Sequence, residues 1–446
     1  LDGNGNIIIA PDENYAREIM QLFSIGLLFR HPDGSLVLDE NGLPIQTYDN
    51  DDITELARVF TGWSFSKSVG SRNNGYPTQN NNNFNYYGGP LYFQASWENP
   101  MKPFSNQHDN GSKNVLGTAI PGGQNGYQDL NAATNVLFNH QNTGPFISKL
   151  LIQRLVTSNP SAGYVYRVAR TFDNHRGNGQ QMKEVFRAIL LDYEARSMTQ
   201  IDNIGFGKQK EPLIRYVQLM RAYGAKSELP LSELAAYGYP AGQLDNFPPD
   251  ATMLRWTTHG HSWWNQSHLR APTVFNWFLP DHQVGGAMQQ AGLVAPEFSL
   301  TNEYQAMRWV NYAWVLCNNW WQGAREMPKQ RDSVANGGRG DSNGELDNIT
   351  ARHFVDALET KVIGYVNGGD SERVAFEKLL DELDLLLCAG NLKAKYDGQP
   401  APNPRESMLE HSTYLFNPGN LPGSADRAVK DLLYLLSTSP EFITQK

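Results

Sequence analysis

The chain has 446 residues, with 37 basic and 46 acidic side chains and a formal net charge of -9. This acidic balance argues against a phosphate backbone as the main partner, so we expect no nucleic-acid ligand. The only cysteines, Cys317 and Cys388, are too few for a disulfide framework and form no C-x-x-C motif, and the sequence leaves their pairing open. A mean hydropathy of -0.50 and the lack of a long apolar run exclude a membrane-spanning helix within these residues.

Helical periodicity dominates the start of the chain. Apolar residues at helical spacing follow Pro11 and predict a first helix that stops at Gly26. On its polar face Glu13 precedes Arg17 by four residues, which is the favourable order for an ion pair. In residues 31–48, Asp-Gly and Asn-Gly pairs interrupt short alternating runs, and this pattern predicts a small β-hairpin.

A second helix and a long irregular segment come next. Asp51 and Asp52 are placed to cap a helix that Gly62 ends. From residue 64 to 127 the periodicity fails, and the segment is rich in Asn, Gly, Tyr and Pro. Because a loop of this length inside a compact domain is usually functional, the insertion (64–127) is a candidate lid or partner surface.

The rest of the chain predicts an array of helices joined by long loops. Helical patterns cover residues 143–156, 162–172, 182–191, 211–223, 302–321, 350–366, 371–388 and 425–436. An aromatic-rich loop (238–298) and a mobile loop poor in apolar residues (332–349) lie between some of them. The predicted fold class is mostly α, a large multi-helix array with long irregular loops and one small β-hairpin. Its helical halves would be residues 1–225 and 226–446, and the two could also form one compact unit.

The opening residues offer a candidate calcium site. Asp2, Asn4 and Asn6 alternate, and Glu13 lies eleven residues after Asp2, as in an oxygen-ligand loop. Ile7, however, occupies the position where such loops need glycine. The alternative interpretation is an Asn/Gly turn that leads into a helix cap.

Two further candidates lie in the aromatic-rich loop. His259 and His261, with His268 nearby, have a spacing at which imidazoles can share a transition metal, and hydrogen-bonded histidines inside an aromatic core are the alternative. The second candidate is a carbohydrate-stacking platform, because flat apolar rings with polar rims suit sugar faces. Its rings would be Trp256, Trp263, Trp264 and Trp277.

Another candidate is catalytic. His108 and Asp109, followed by Lys113, place an imidazole, a carboxylate and an amine in one loop, which are the groups that general acid-base chemistry uses. No nucleophile is identifiable beside them in the sequence. A structural ion network would use the same residue types, so the pattern alone does not decide between the two roles.

Seven strings along the chain carry a resemblance to a known family. They are DENYAREIMQLFSIGL, DITELARVFTGWSF, HDNGSKNVLG, NHQNTGPFISKLLIQRLV, GKQKEPLIR, LRAPTVFNWFLPD and LLYLLSTSPEFITQK. Together they resemble the bacterial family catalogued as domain of unknown function number 1800, over nearly the whole chain and the central and C-terminal parts of the family's length. The residues that match its two most specific motifs, and that the resemblance makes candidate site residues, are Glu13, Asn14, Arg17, Glu18, His108, Asp109 and Lys113.

The resemblance implies a compartment and a partner but no reaction. Members of the family are generally exported, which implies a periplasmic or extracellular protein, and they usually carry a further N-terminal helical segment ahead of this chain's first residue. They are often encoded beside the exported family number 1501, which implies a protein partner from that family. If the loop of His108 and Asp109 covered the first helix, Glu13, Arg17 and Glu18 would form a buried ion network.

Three functions from different classes are compatible with the sequence. The first is a structural, assembly or partner-binding protein that acts through its long loops. The second is a hydrolytic or oxidative enzyme acting on an extracellular polymer, with His108 and Asp109 or the histidines around His259 as its reactive groups. The third is a carbohydrate-binding module built on the tryptophan-rich segment. The first is favoured because no complete catalytic constellation is recognisable in the sequence.

Overall fold

The structure, a computed structural model, describes residues 10–64, 100–224, 226–227, 266, 271–318, 349–350 and 352–446. These residues are mostly α-helical, and their strands form short two-stranded antiparallel sheets, which confirms the predicted fold class. The chain divides into two compact units, the first made of Leu1–Ile152 and Pro160–Arg196 and the second of Gln153–Asn159 and Ser197–Lys446. The first unit thus ends at Arg196, whereas the sequence pattern predicts a first half that ends at residue 225.

The first unit combines helices with two pairs of short strands. Its helices are α1 (Asn14–Gln21), α2 (Asn50–Val59), α3 (Gly126–Asn139), α4 (Thr143–Leu155, whose last three residues belong to the second unit), α5 (Ala162–Asn174), α6 (Gln181–Leu191) and α7 (Tyr193–Arg196). Its strands are β1 (Trp63–Ser64), β2 (Lys102–Pro103), β3 (Lys113–Val115) and β4 (Thr118–Ile120). β1 pairs with β2 and β3 with β4, both antiparallel. One apolar core joins α1, α2, α3 and the β3–β4 hairpin.

The second unit is built around a buried helix. Its helices are α8 (Pro212–Ala222), α9 (Ala287–Gln290), α10 (Glu303–Asn318), α11 (Arg352–Asn367), α12 (Glu372–Cys388), α13 (Asn391–Tyr396), α14 (Pro404–Leu415), α15 (Gly423–Thr438) and α16 (Pro440–Ile443). Its strands are β5 (Lys208–Gln209), β6 (Lys226–Ser227), β7 (Ile349–Thr350) and β8 (Thr444–Gln445), with β5 paired to β8 and β6 to β7. Helix α15 packs against α10, α11 and α14, and its Leu432, Leu433 and Leu436 are buried in the core. Cys317 and Cys388 lie in the same core and are not joined by a disulfide.

Helix α3 and three strands differ from the sequence prediction. β2, β3, β4 and the start of α3 fall inside the segment 64–127, for which the sequence pattern predicts irregular structure. The helix starts at Asn125, whose side chain accepts hydrogen bonds from two backbone N–H groups of the first turn, while Gln128 returns a bond to the Asn125 N–H. A buried residue then recurs at every fourth position from Asp129 to Leu137.

The predicted hairpin is a three-segment β element, residues 27–47. The backbone N–H of Phe29 donates to the Ile45 carbonyl at 2.9 Å, Ile45 donates to Val37 at 3.1 Å, and Val37 donates to Phe29 at 2.9 Å. Three chain segments therefore close into a ring of hydrogen bonds instead of forming a flat two-stranded ribbon. The turns between them contain the Asp-Gly and Asn-Gly pairs that predicted them.

Asn142 fixes this β element to the rest of the first unit. The Asn142 side chain is buried, and its amide nitrogen donates to the carbonyl oxygens of Ile25 and of Leu28, the latter at 3.0 Å. Its amide oxygen accepts from the Arg30 backbone N–H at 2.6 Å. One side chain thus satisfies three backbone groups, and such a fully bonded buried amide holds the segment in one position.

Candidate functional site

Helix α2 begins earlier than the sequence pattern predicts, at a capping box made by Asp49. Asp49 accepts hydrogen bonds from the backbone N–H groups of Asp51 and Asp52, and Asp52 Oδ2 accepts one from the Asp49 N–H. Asp52 Oδ1 also accepts from the backbone N–H of Leu116, between β3 and β4, at 3.0 Å. One carboxylate therefore joins the start of α2 to the β3–β4 hairpin.

The chain leaves α2 at Gly62, where the loop that carries His108 comes close. The Phe104 backbone N–H donates to the Gly62 carbonyl oxygen at 2.9 Å. Gly62 has a φ of +77°, and a Cβ atom here would lie 2.9 Å from both the backbone nitrogen of His108 and the backbone oxygen of Phe104. Both the left-handed conformation and the close approach of the loop backbone require glycine at this position. The loop of residues 104–113 can therefore lie directly against the end of α2.

Arg58 connects α2 to this loop through a bidentate ion pair. Its Nε donates to Asp109 Oδ2 at 2.8 Å, and its Nη2 donates to Asp109 Oδ1 at 3.2 Å. Its Nη1 donates to both carboxylate oxygens of Glu55, at 2.8 and 3.0 Å. The backbone N–H of Gly111 also donates to Asp109, and that of Asn114 to Glu55. A planar charged fork of this kind fixes orientation as well as distance.

The ion pair shifts the protonation equilibria of its two partners in opposite directions. The hydrogen bond from Arg58 is the largest cause of the lowered pKa of Asp109, whose ordinary value is 3.8, and burial opposes it. The same hydrogen bond raises the pKa of Arg58 above its ordinary value. Both groups are therefore charged at neutral pH, and Asp109 acts as a hydrogen-bond acceptor and not as a proton donor.

Lys113 lies next to this pair and uses its ammonium hydrogens inside the protein. Its Nζ lies 2.6 Å from the carbonyl oxygen of Asp109, 3.0 Å from that of Gly111 and 2.6 Å from Asp129 Oδ2 on α3. Three acceptors match the three N–H bonds of an ammonium group. Lys113 therefore has no donor left for a substrate.

His108 completes the cluster on the other side of Asp129. Its Nδ1 lies 3.1 Å from the Thr61 carbonyl oxygen, and its Nε2 lies 3.1 Å from Asp129 Oδ2. Because a carbonyl oxygen only accepts hydrogen bonds, Nδ1 carries a proton.

The cluster of His108, Lys113 and Asp129, here called the buried cluster, is closed to solvent. The three side chains have exposures of 1%, 0% and 1%. Asp129 Oδ1 is also buried and has no hydrogen-bond partner, so the carboxylate is neutralised through Oδ2 alone. A general acid or base must come within hydrogen-bond reach of the group on which it acts. With the loop of residues 104–113 in place, the cluster holds that loop between α2 and α3 and does not face a substrate.

The charged residues of α1 form a separate, more exposed group. Glu13 accepts a hydrogen bond from Thr54 Oγ1 at 3.0 Å and lies 3.6 Å from Arg17, and the two charged side chains are 37% and 42% exposed. Glu18 is half-buried, and its Oε2 has no hydrogen-bond partner. Among the described residues, the hydrogen bonds and ion pairs connect Glu13 to α2 and do not connect the α1 charges to the loop of residues 104–113.

Most of the other predicted site residues lie outside the described ranges. These are the calcium candidates Asp2, Asn4 and Asn6, the transition-metal candidates His259, His261 and His268, and the stacking candidates Trp256, Trp263 and Trp264. The fourth stacking candidate, Trp277, is half-buried. Within the part of the chain that the structure describes, no three His, Cys, Asp or Glu side chains are arranged to hold a metal ion. Calcium and transition-metal binding therefore stay predictions from the sequence.

Three groups that hold the site together are missing from the sequence prediction. Arg58 forms an ion pair with Asp109, and Asp129 lies against His108. The Thr61 carbonyl oxygen lies within hydrogen-bond distance of the His108 ring. The sequence pattern does not identify Asp129 as a partner, because it does not predict helix α3. The signal that identifies this helix is the spacing Asn125-x-x-Gln128, a capping-box pattern followed by small and apolar residues.

The whole chain was compared with family models, curated proteins and solved structures. No curated protein and no solved structure matches this chain. No helix in the described ranges is both long and apolar enough to cross a membrane. The model of the family described as Protein of unknown function (DUF1800) matches residues 1–444, which include every residue of the site above. Because this match covers almost the whole length, the chain belongs to that family.

Proposed function

We propose that this protein is an exported binding or assembly protein, and that it binds a protein partner through the β element of residues 27–47. The observation that carries the proposal is the exposure of apolar side chains on this element. Leu27, Leu38 and Leu43 are 51%, 52% and 61% exposed, and Ile45 is 37% exposed. A group of exposed apolar side chains on a soluble surface is typical of a protein interaction site.

The rigidity of the element supports the same function. Its backbone is closed by the ring of hydrogen bonds among Phe29, Val37 and Ile45 and is held by the buried Asn142. A surface that is already ordered loses little conformational entropy when a partner binds. The partner that fits this chemistry presents apolar side chains of its own.

The burial of His108, Lys113 and Asp129 supports a role without catalysis for the most specific motif. These charges are used to hold the loop of residues 104–113, and each would have to leave a charged partner to meet a substrate. Leaving a buried charge without its partner costs roughly 3–5 kcal/mol. A binding protein does not need to separate these charges from their partners.

The family resemblance supports the compartment and the partner. The general export of its members favours a periplasmic or extracellular location for this chain, and the exported family number 1501, often encoded beside them, supplies the partner to be tested. Cell fractionation of the tagged, full-length protein tests export. Recovery in the cytoplasm alone would contradict it.

Binding is tested by calorimetric titration of this chain with a purified family number 1501 protein from the same genome. We expect a complex, with affinity about tenfold or more weaker in Leu38→Lys and Leu43→Lys, because an interface lysine loses apolar contact and its charge must be desolvated. The control is Tyr414→Lys at an 86% exposed position of the second unit, which should bind like the parent chain. Absence of a complex, or an equal loss in all three variants, would contradict the proposal.

A further inference from the structure

Lys210, in the second unit, is a buried cation without a carboxylate partner. It is 9% exposed, and its Nζ lies 3.4 Å from the Leu387 carbonyl oxygen at the end of α12 and 4.5 Å from the centre of the Phe442 ring. Lys208, two residues earlier, shows the usual arrangement, since its Nζ lies 2.9 Å from a Glu297 oxygen. A buried ammonium group that lacks such a partner is costly, so the region around Lys210 is receptive to an anion.

The charges around Lys210 also favour binding of an anion. Burial lowers the pKa of Lys210 to about 8; Cys388 opposes this shift and Arg215 adds to it. Arg215 is itself 2% exposed, and its Nη2 has no hydrogen-bond partner. Two buried cations therefore lie close enough to interact, and no described carboxylate compensates Lys210.

A groove of about 650 Å³ lies beside Lys210. Its apolar lining includes Ile214, Leu385 and Leu386, which are 49%, 71% and 46% exposed. Arg221 and Lys446 add two further basic residues to the lining. The volume lies within the range of small-molecule sites, which is roughly 300–1,000 Å³. The groove thus combines apolar walls with positive charge.

Glu441 has the one carboxylate side chain among the described lining residues, and its charge is already balanced by Lys395. Its Oε1 accepts hydrogen bonds from Lys395 Nζ and from the Tyr396 hydroxyl, both at 3.0 Å, and its Oε2 is buried without a partner. Glu441 forms no ion pair with Lys210 in the structure. The anion that would pair with Lys210 must therefore come from a ligand.

We propose that this groove binds an aliphatic carboxylate, with the carboxylate on Lys210 Nζ and the hydrocarbon chain against Ile214, Leu385 and Leu386. The carboxylate supplies the missing counter-charge through a charge-assisted hydrogen bond. The chain covers apolar surface that now contacts water. A chain with a cationic head group would leave Lys210 unpaired. This site is in the second unit and does not depend on partner binding through the β element.

The first test is calorimetric titration with sodium decanoate below its micelle concentration, with decyltrimethylammonium as the cationic comparison. We expect decanoate to bind and the cation not to bind. Lys210→Met should weaken decanoate binding about tenfold or more, because a hydrogen bond between charged groups is lost. The control Lys361→Met changes a 42% exposed lysine on α11 and should have no effect. Equal binding of the two amphiphiles, or unchanged affinity in Lys210→Met, would overturn the proposal.

A second test uses the unaltered chain, so it does not depend on how Lys210→Met folds. The chain is acetylated with acetic anhydride at about pH 8, near the pKa of Lys210, and the modified lysines are mapped by mass spectrometry. Decanoate should slow acetylation of Lys210 and leave that of Lys361 unchanged. A Lys210 rate that decanoate does not alter would show that the carboxylate does not reach this amine.

Discussion

Arg58 and Asp109, 51 positions apart in the chain, form a bidentate ion pair that joins α2 to the loop bearing His108. The pair brings together two of the strings that identify the family, one around each residue. With Lys113 bonded to the Asp109 carbonyl oxygen, the ion pair is continuous with the buried cluster. Asp109 and Lys113 therefore both stabilise the contact between this loop and α2.

Replacing Arg58 tests how much this contact contributes. Arg58→Lys keeps the charge but loses the fork, and the free energy of unfolding should fall by about 1–2 kcal/mol, a moderate value because the pair is partly exposed. Chemical denaturation followed by circular dichroism measures the change. Arg17→Ala is the control, since its ion pair is 3.6 Å long and exposed, and it should change stability by less than about 0.5 kcal/mol. Equal effects of the two variants would contradict the assignment.

The buried cluster predicts strong coupling between Lys113 and Asp129. Asp129→Asn should lower the free energy of unfolding by about 3–5 kcal/mol, because Lys113 stays buried without its counter-charge. The double variant Lys113→Met/Asp129→Leu should lose less than the sum of its two single variants, since no charge of the pair is left unmatched. Denaturation of the parent chain, Lys113→Met, Asp129→Leu and the double variant gives the coupling energy. Additive losses would show that the two side chains act independently.

Two glycines of the first unit allow a matched test of the close approach at the end of α2. Gly62 and Gly42 have φ angles of +77° and +76°, but a Cβ atom at Gly42 would meet nothing within 4 Å. Gly42→Ala should therefore cost about 1–2 kcal/mol from its conformation alone. Gly62→Ala should cost clearly more, because its methyl group presses on the backbone of the His108 loop. Similar melting temperatures for the two variants would exclude this crowding.

The lowered pKa of Asp109 predicts loss of stability in acid. The folded protein holds Asp109 ionised to a lower pH than the unfolded chain, whose value is near 3.8. Its contribution is therefore complete above that pH and is lost as the pH falls through the folded-state pKa. The free energy of unfolding of the parent chain should fall more steeply below pH 4 than that of Asp109→Asn. Parallel pH profiles would contradict the role of the ion pair.

Lys210 predicts a gain in stability at alkaline pH. Its pKa is about 8 in the folded protein and 10.5 ordinarily, so between these values the unfolded chain binds a proton that the folded chain does not. The stability of the parent chain relative to Lys210→Met should therefore rise as the pH increases from 8 towards 10. Cys388 contributes little to this difference, because burial raises the pKa of its thiol to about 12 and Lys210 is only a lesser, opposing cause. A constant difference between the two would mean that Lys210 titrates normally.

Helices with strong local signals were predictable from the sequence. Ser371 begins the pattern predicted over residues 371–388, and the structure shows it as the cap of α12, with its hydroxyl accepting from the Val374 backbone N–H. The predicted hairpin also contains the expected turns. In these elements the residues that determine the conformation are neighbours in the chain, so the pattern contains the necessary information.

The partners of the site residues were not predictable in the same way. His108 and Lys113 are recognisable as polar residues of one loop, but Asp129 becomes their partner only because α3 packs beside that loop. The α1 charges show the reverse case, since Glu13 and Arg17 look like an internal network in the sequence and form a half-exposed pair in the structure. Burial and pairing of charges depend on tertiary packing, which a local pattern does not specify.

The buried thiols of Cys317 and Cys388 give the second unit an internal reporter of its own opening. Both are buried in its core, and burial raises the pKa of the Cys388 thiol to about 12, so the reactive thiolate is scarce while the unit is closed. Exposure of the core during an opening event would return the thiols to ordinary reactivity. The rate at which a maleimide labels the native chain therefore measures how often this core opens, and no engineered label is needed.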